Sequence, residues 1–169
     1  MSHDGIYLGI GSNLSPESNI SWALAWLGKH GLVQATSPVY RTRPVGIAGA
    51  PDFLNLALRV DYAGGDLARL KSLLESLERR CGRTRPEPCY DGWQSRSLDL
   101  DILLDGDRVA TYGAKPWHVP HPDVLRFAHV AVPLADIAGE LIHPQCGVSL
   151  ADIAAAMPHD GITDLGSSR

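Results

Sequence analysis

The stretch that decides the fold of this chain is Ser97-Leu98-Asp99-Leu100-Asp101-Ile102-Leu103-Leu104. Successive side chains of a β-strand point to opposite faces, so Asp99 and Asp101 share one face and the apolar residues between them share the other. The Cα atoms of the two aspartates then lie about 6–7 Å apart, which suits a pair of Mg²⁺ ions. Taken alone, the stretch is explained better as a strand with a solvated outer face, which is common in antiparallel sheets.

Arginine is concentrated just before the aspartate pair. Five of the fifteen basic residues of the chain lie there: Arg79, Arg80, Arg83, Arg85 and Arg96. Guanidinium groups bind phosphate oxygens, and Mg²⁺ bridges and neutralises them, so this arrangement is typical of a site for a metal-bound polyphosphate. Surface ion pairing with neighbouring acidic residues is the alternative, and it is the interpretation that we adopt for Arg79 and Arg80.

The elements predicted around this strand complete an α+β fold. They are strands at 6–10, 33–40, 53–62 and 97–104, helices at about 15–27, 66–82, within 127–137 and at 149–157, loops at 41–51 and 83–95, and a short partner strand around Val109. Their order predicts a ferredoxin-like α/β sandwich with a mainly antiparallel sheet and helices packed on it. We expect a single catalytic domain over residues 1–169, with a core at about 5–158 and a loose C-terminal tail.

The composition excludes several classes of protein. The 169 residues are 44% hydrophobic and 20% charged, as in ordinary globular domains, and the net charge of −4 gives no general reason to expect binding to nucleic acid or to an anionic membrane. Three cysteines without a C-x-x-C pair suggest neither a disulfide framework nor a zinc ribbon. No segment has the pattern of a membrane span or a signal peptide. We expect a cytoplasmic monomer that binds small molecules.

Further short motifs accompany the aspartate strand. They are Gly11-Ser12-Asn13-Leu14, Tyr40-Arg41-Thr42, Pro51-Asp52-Phe53-Leu54-Asn55, Gly82-Arg83, the strand itself with Trp93 and Arg96 upstream, and Val119-Pro120-His121-Pro122. In this order and spacing, over residues 5–158, the chain resembles the 6-hydroxymethyl-7,8-dihydropterin pyrophosphokinase family of folate biosynthesis. The resemblance implies transfer of a diphosphate from ATP to the hydroxymethyl group of that pterin, giving AMP and the pterin diphosphate.

The resemblance also implies roles for individual residues. Asp99 and Asp101 match the ligands of two Mg²⁺ ions that accompany ATP, and Arg83 and Arg96 match arginines on the transferring phosphates, so these four form the implied catalytic set. The implied ATP-binding residues are Glu78, Arg85, Arg96, Ile102, His121 and Arg126. The implied pterin-binding residues are Thr42, Val45, Phe53, Asn55, Trp93 and His129.

Phe53 and Asn55 support a pocket for a flat ring from their spacing as well. They lie two apart on a predicted strand, so an aromatic face and an amide would point into one pocket. The aromatic face could stack on a heterocycle while the amide recognises its donors and acceptors. Without the resemblance, an ordinary core phenylalanine with a capping asparagine is the better explanation.

The chain departs from the family pattern beyond His121. Where the family usually carries an arginine and, two positions later, a phenylalanine over the second face of the pterin, this chain has Phe127 and His129, with Arg126 one place early. We predict that His129, or Phe127 after a local shift, covers that face. A paralogue acting on a modified pterin and a non-catalytic nucleotide- or pterin-binding module stay open as alternatives. The acidic net charge opposes an RNA-binding module.

Overall fold

The computed structural model describes residues 5–46, 48–83 and 94–167, and these ranges contain eight strands and four α-helices. In chain order they are β1 (Ile6–Ser12), α1 (Pro16–Lys29), β2 (Val33–Thr36), β3 (Pro38–Thr42), β4 (Phe53–Val60), α2 (Leu67–Arg80), β5 (Asp99–Asp105), β6 (Ala110–Tyr112), β7 (Trp117–Val119), α3 (Ala128–Ala138), α4 (Leu150–Ala155) and β8 (Ile162–Ser167). A 3₁₀ helix, Pro122–Leu125, precedes α3. None of the described helices is long and apolar enough to cross a membrane.

The main sheet is antiparallel and has the strand order β5-β1-β4-β3-β8, with β2 also paired to β4. This topology, with helices packed on the sheet, confirms the predicted α+β sandwich. The single strand predicted at 33–40 is divided in two at Ser37. The hydroxyl oxygen of Ser37 accepts a hydrogen bond from the backbone N–H of Ala57, and its own N–H donates to the Ala57 carbonyl, each at 2.9 Å.

Helices α1 and α2 cover one face of the sheet. Helix α2 begins where the Asp66 carboxylate accepts hydrogen bonds from the backbone N–H groups of Ala68 and Arg69, which satisfies two donors that the helix itself leaves unpaired. The buried residues between this face and the helices include Leu8, Ile10, Leu27, Leu56, Leu70, Leu74, Leu98, Leu100 and Ile102. These side chains form the larger of the two apolar clusters.

Helices α3 and α4 cover part of the opposite face. Their apolar residues pack on Tyr7, Ala57, Leu103 and Leu104, which face away from α1 and α2. A register shift between Tyr7 and Leu8, where β1 pairs with β5, places both Leu103 and Leu104 on this side. The end of the sheet where β5 begins is left open on this face, and the clefts described below lie there.

The C-terminal segment is ordered, so the prediction of a loose tail was wrong for the residues that the structure describes. Residues Ile162–Ser167 form β8, which pairs with β3 from Pro38↔Ser167 to Thr42↔Ile162. Five of its six residues are exposed. The strand is therefore held mainly through backbone hydrogen bonds, and its side chains show no apolar alternation from which it could have been predicted.

The predicted partner of β5 around Val109 was also wrong. Residues Ala110–Tyr112 form β6, which pairs with β7 in a separate two-stranded sheet instead of with β5. The chain does turn at Gly106, which has a φ of 53°. After this turn the chain leaves the plane of the main sheet. The outer edge of β5 is therefore covered by side chains of α2 and not by another strand.

Candidate active site

Two glycines of β1 form the floor of a cleft on the α3 side of the sheet. In the strand register, Gly11 stands between Asn55 of β4 and Asp99 of β5, and Gly9 stands beside Asp101. A Cβ atom at Gly11 would lie 2.9 Å from Asn55 Oδ1, closer than packed atoms tolerate. Glycine at this position therefore keeps open the space between the amide on one wall and the carboxylates on the other.

The two aspartates lie together as the alternation in the sequence predicted. Both line this cleft, with Arg96, His121 and His129 around them. Their neighbours on β5 point the other way and are fully buried against the helices. With Asp123, which also lines it, the first cleft combines three carboxylates, one guanidinium group and two imidazoles.

Asp99 is held between two guanidinium groups. Arg83 Nη1 donates to Asp99 Oδ1 at 2.6 Å, and Arg96 Nη1 donates to Asp99 Oδ2. Arg83 Nη1 also lies 2.6 Å from Glu78 Oε1. Burial alone would lower the pKa of Arg83, but the carboxylates of Asp99 and Glu78 outweigh it and raise that pKa. Arg83 therefore stays charged although its side chain is only 16% exposed.

Asp101 is paired with a lysine whose role was not predicted from the sequence. Lys71 Nζ lies 2.7 Å from Asp101 Oδ1, and the lysine side chain is only 5% exposed. Burial opposes ionisation of Asp101, but the Lys71 ammonium group, with smaller contributions from His121 and Arg96, outweighs it, and the pKa of Asp101 is lowered to about 2. A signal was present, because Lys71 falls on the apolar stripe of α2, four residues after Leu67 and three before Leu74.

Polar side chains from the last turn of α2 and from the residues just after it also cover the outer edge of β5. The backbone N–H of Leu100 donates to Glu78 Oε1 at 2.8 Å, and Arg83 Nη1 donates to the carbonyl of Leu98 at 3.3 Å. Burial and the nearby Asp99 raise the pKa of Glu78 to about 7, while Arg83 acts in the opposite direction. An edge strand presents unpaired backbone groups, and these contacts satisfy them while fixing the strand that carries the aspartates.

The turn between β1 and α1 positions Arg96. Asn13 Oδ1 accepts a hydrogen bond from the backbone N–H of Arg96 at 2.7 Å, and the N–H of Asn13 donates to the Arg96 carbonyl at 3.0 Å. Ser12 Oγ donates to the carbonyl of Ser97 at 2.5 Å. Ser12 and Asn13 were quoted above only as part of a motif, and the structure shows what they do: they anchor the segment that leads into β5.

A second cleft adjoins the first and shares five residues with it: Gly11, Asn55, Arg96, Asp99 and His129. Thr42, Val45 and Phe53 also line it. Asn55 Nδ2 donates to Thr42 Oγ1 at 2.7 Å, which fixes which end of the amide faces the cleft. The five described residues that the resemblance assigns to the pterin therefore meet in one place.

His129 lies in the first turn of α3, and Phe127 precedes that helix. Their rings are stacked with centroids 5.3 Å apart, and it is His129 that lines both clefts. Burial lowers the pKa of His129, although Asp123 and Asp99 act in the opposite direction. The lowered pKa favours the neutral imidazole over its charged form.

The residues that the resemblance assigns to ATP are spread more widely. His121 lines the first cleft, and its Nδ1 accepts a hydrogen bond from the backbone N–H of Asp123 at 3.2 Å. Arg126 has a side chain 62% exposed and lies 3.4 Å from Asp123 Oδ1. The Ile102 side chain is fully buried against the helices, on the face opposite the clefts.

Glu78 lines a separate hollow with Glu75, Arg79 and Arg83. This hollow lies on the outer side of β5, so Arg83 is the residue that connects it to Asp99. Two further residues that the resemblance assigns, Arg85 and Trp93, lie outside the described residues.

The donor atoms of the acidic pair suit Mg²⁺, which prefers oxygen ligands. Within residues 5–46, 48–83 and 94–167, no group of three or more His, Cys, Asp or Glu side chains could hold a metal ion. Mg²⁺ is commonly bound by one or two carboxylates plus substrate phosphates and water. Asp99 and Asp101 therefore fit a metal ion that arrives with a polyphosphate.

Comparisons with known protein families agree with the sequence motifs. The family model described as 7,8-dihydro-6-hydroxymethylpterin-pyrophosphokinase (HPPK) matches residues 7–139. The chain is similar to 2-amino-4-hydroxy-6-hydroxymethyldihydropteridine pyrophosphokinase of Pseudomonas aeruginosa, with 37% identity over 95% of this chain and 96% of that protein. The protein of the same name from Synechocystis is 33% identical over 97% of this chain and 85% of its own length.

Solved structures share the fold. The chain is similar to Plasmodium falciparum HPPK-DHPS A437G with STZ-DHP, at a TM-score of 0.71 and 12% identity over 89% of this chain. The wild-type protein with SDX-DHP gives a TM-score of 0.66 at 12% identity, again over 89% of this chain. The chain spans less than half the length of these two proteins, 45% and 43%. At such low identity the likeness supports the fold alone.

Proposed function

This chain belongs to the 7,8-dihydro-6-hydroxymethylpterin-pyrophosphokinase family, and we propose that it transfers a diphosphate from ATP to 6-hydroxymethyl-7,8-dihydropterin in folate biosynthesis. The hydroxymethyl oxygen forms a bond to the β-phosphorus as it loses its proton. The bond from that phosphorus to the oxygen shared with the α-phosphate breaks, and AMP leaves with the electron pair. The products are AMP and the pterin diphosphate.

The observation that best supports this proposal is that the two clefts meet at Asp99 and Arg96. One cleft offers an aromatic ring and an oriented amide, and the other offers two carboxylates with guanidinium groups beside them. A ring bound beside Phe53 and Asn55 would present a substituent at the point where a polyphosphate bound beside the two aspartates begins. Holding two reactants in this way converts a reaction between two free molecules into a reaction within one complex.

Recognition of the pterin follows from the amide of Asn55. Its nitrogen is bonded to Thr42, so Oδ1 faces the glycine floor and can accept hydrogen bonds from the N–H groups of the heterocycle. Phe53 and His129 line the same cleft and provide two ring faces between which a flat heterocycle can stack.

Binding of the phosphates depends on Arg83 and Arg96, whose guanidinium groups lie on either side of Asp99. Arg96 lines both clefts, so it can turn from that carboxylate to phosphate oxygens when ATP enters. Asp99 and Asp101 would hold the Mg²⁺ that accompanies ATP, two ions by the family resemblance. The bound metal would neutralise charge on the phosphate oxygens.

A paralogue that acts on a modified pterin is a second candidate, and the side chain at position 129 favours it. An imidazole covers less of a ring face than the benzyl group that is usual in the family. A non-catalytic binding module is disfavoured, because binding alone would not require two carboxylates and two arginines around one point in the cleft.

The experiment that tests this proposal is an incubation with Mg-ATP and 6-hydroxymethyl-7,8-dihydropterin, followed by separation of AMP from ADP. We expect AMP in a 1:1 ratio to the pterin diphosphate, and no AMP when the pterin is omitted. Stoichiometric ADP would contradict diphosphate transfer. AMP formation with a modified pterin alone would support the paralogue.

A further inference from the structure

Lys71 is a buried charged residue that the proposed reaction does not use. It lies on α2 among the leucines that pack on the sheet, and its residue as a whole is 4% exposed. Its side chain extends past the outer edge of β5, so the ammonium group contacts Asp101, which lies on the cleft face of the sheet. Lysine is very seldom buried to this extent without a partner of opposite charge.

The ammonium group of Lys71 is fixed by three separate contacts. It donates to Asp101 Oδ1 and to the Leu100 carbonyl, each at 2.7 Å. It also lies 4.5 Å from the centroid of the Trp117 ring, within range of a cation–π interaction. An ammonium group has three N–H donors, so these three partners account for all of them.

Asp101 is therefore in contact with a fixed positive charge before any metal ion arrives. Of its two carboxylate oxygens, Oδ1 is engaged by Lys71. A divalent cation approaching the same carboxylate would meet electrostatic repulsion from Lys71 and a reduced choice of oxygen atoms. Asp99 differs, because one of its two cationic partners, Arg96, itself lines both clefts and can turn to phosphate.

We infer that Lys71 is a resident counter-cation of Asp101 that weakens divalent-metal binding by the acidic pair. Its effect is to make metal uptake depend on the phosphates of the nucleotide, which supply the negative charge that Lys71 cancels. The inference rests on the proposed function, since it takes Asp99 and Asp101 as the metal site. Lys71 is thus a positioning residue, because it acts through Asp101 and not on the substrate.

The direct test is Lys71→Met, which keeps the length of the side chain and removes its charge. Mn²⁺ serves as the probe, with an ATP analogue that has a methylene group between the α- and β-phosphorus atoms, and free Mn²⁺ is followed by electron paramagnetic resonance. We expect Lys71→Met to bind Mn²⁺ about tenfold more tightly than the unmodified chain. Lys71→Leu, which continues the leucine stripe of α2, provides a second neutral variant if Lys71→Met folds poorly.

Lys115→Met is the matched control. Lys115 also lies over the Trp117 ring, at 4.7 Å, but it is exposed. Losing its charge alters the net charge of the chain equally, so we expect no change in Mn²⁺ affinity. Thermal unfolding provides a second measurement. Without metal, Lys71→Met should melt at a lower temperature than the unmodified chain. Adding Mn²⁺ with the analogue should raise the melting temperature of Lys71→Met by more than it raises that of the unmodified chain.

A double substitution separates this inference from the proposed function. In an Asp101→Asn background, which should itself bind Mn²⁺ weakly, adding Lys71→Met should change nothing. Unchanged or weaker Mn²⁺ binding by Lys71→Met, with Asp101→Asn weakening it as expected, would overturn the inference and leave the metal site in place. Undiminished binding by Asp101→Asn would overturn both the metal site and the inference, whereas the transfer reaction is tested separately by release of AMP.

Discussion

The two faces of the same strands, β1 and β5, do different things in this molecule. Towards α1 and α2 they present large aliphatic side chains such as Leu8, Ile10 and Leu100, each no more than 2% exposed. Towards α3 they present glycines and aspartates in the same register. One face is filled and supplies stability, and the other is left unfilled at one end and supplies a site. Adjacent residues of one strand should therefore respond to substitution in opposite ways.

The largest effect is expected at Asp99. Asp99→Ala should lower kcat by about 10²–10³-fold, because a carboxylate that organises the charges around the transferring phosphates is lost. Thermal stability should change little, since Arg83 keeps Glu78 as a partner. Steady-state kinetics and a melting curve on the same preparation provide the check. Near-normal turnover at saturating Mg²⁺ would remove Asp99 from the site.

The next residue along the strand should behave in the opposite way. Leu100→Ala should lower the free energy of unfolding by about 2–5 kcal/mol, because it leaves a cavity between the sheet and α2. At a temperature where the variant remains folded, kcat should stay close to that of the unmodified chain. Denaturant titration measures the loss of unfolding free energy. A loss smaller than this range, together with a large fall in kcat, would contradict the assignment of stability to one face and of the site to the other.

A smaller effect is expected at the glycine floor. Gly11→Ala should raise the KM for the pterin about tenfold, because the added Cβ would press on Asn55 Oδ1 and turn the amide that we propose to recognise the ring. The KM for ATP should change much less. Gly28→Ala is the matched control, since no atom lies within 4 Å of a Cβ at that position. Equal changes in both KM values would mean that the floor does not belong to the pterin cleft.

The smallest effect concerns His129 and pH. Because burial lowers its pKa below the ordinary value of 6.5, the folded chain binds fewer protons at this site than the unfolded chain. The stability that this neutral ring contributes is present above pH 6.5 and is lost as the pH falls below it. His129→Phe should make the decline of the unfolding free energy below that pH shallower and should tighten binding of the plain pterin.

Denaturant titrations at several pH values test the His129 prediction. His118→Phe serves as the control, because it makes the same substitution at an exposed position on β7. Identical pH dependence in His129→Phe and the unmodified chain would contradict the buried neutral imidazole. Loss of pterin affinity in Phe127→Ala, but not in His129→Ala, would show that Phe127 covers the ring.

The residues around β5 show how far the sequence could lead. Alternation in one octapeptide was enough to place Asp99 and Asp101 on a common face, and the order of elements predicted the α+β sandwich. Lys71 was not predicted to be in the site, because a lysine on a helix is usually solvated and its target is 30 residues away. Strand β8 was missed for a related reason: its pairing uses backbone groups, which leave no trace in side-chain pattern.

The anchoring of Arg96 shows another limit of sequence reasoning. Ser12 and Asn13 are separated from Arg96 and Ser97 by more than 80 residues, and their hydrogen bonds exist only once β1 and β5 are paired. Local propensity contains no information on such contacts. The motif Gly11-Ser12-Asn13-Leu14 singled out the two residues as part of the family resemblance but did not indicate what they do. Three-dimensional pairing was needed to give them a role.

The most direct test of the account is the fate of ATP labelled at the β-phosphorus, with the unmodified chain and Asp99→Ala compared side by side. The account predicts that the label moves to the pterin in the unmodified chain, that unlabelled AMP is released, and that Asp99→Ala transfers at most about a hundredth as fast. Label remaining in ADP, or equal transfer by the two proteins, would contradict diphosphate transfer at the carboxylate face of β5.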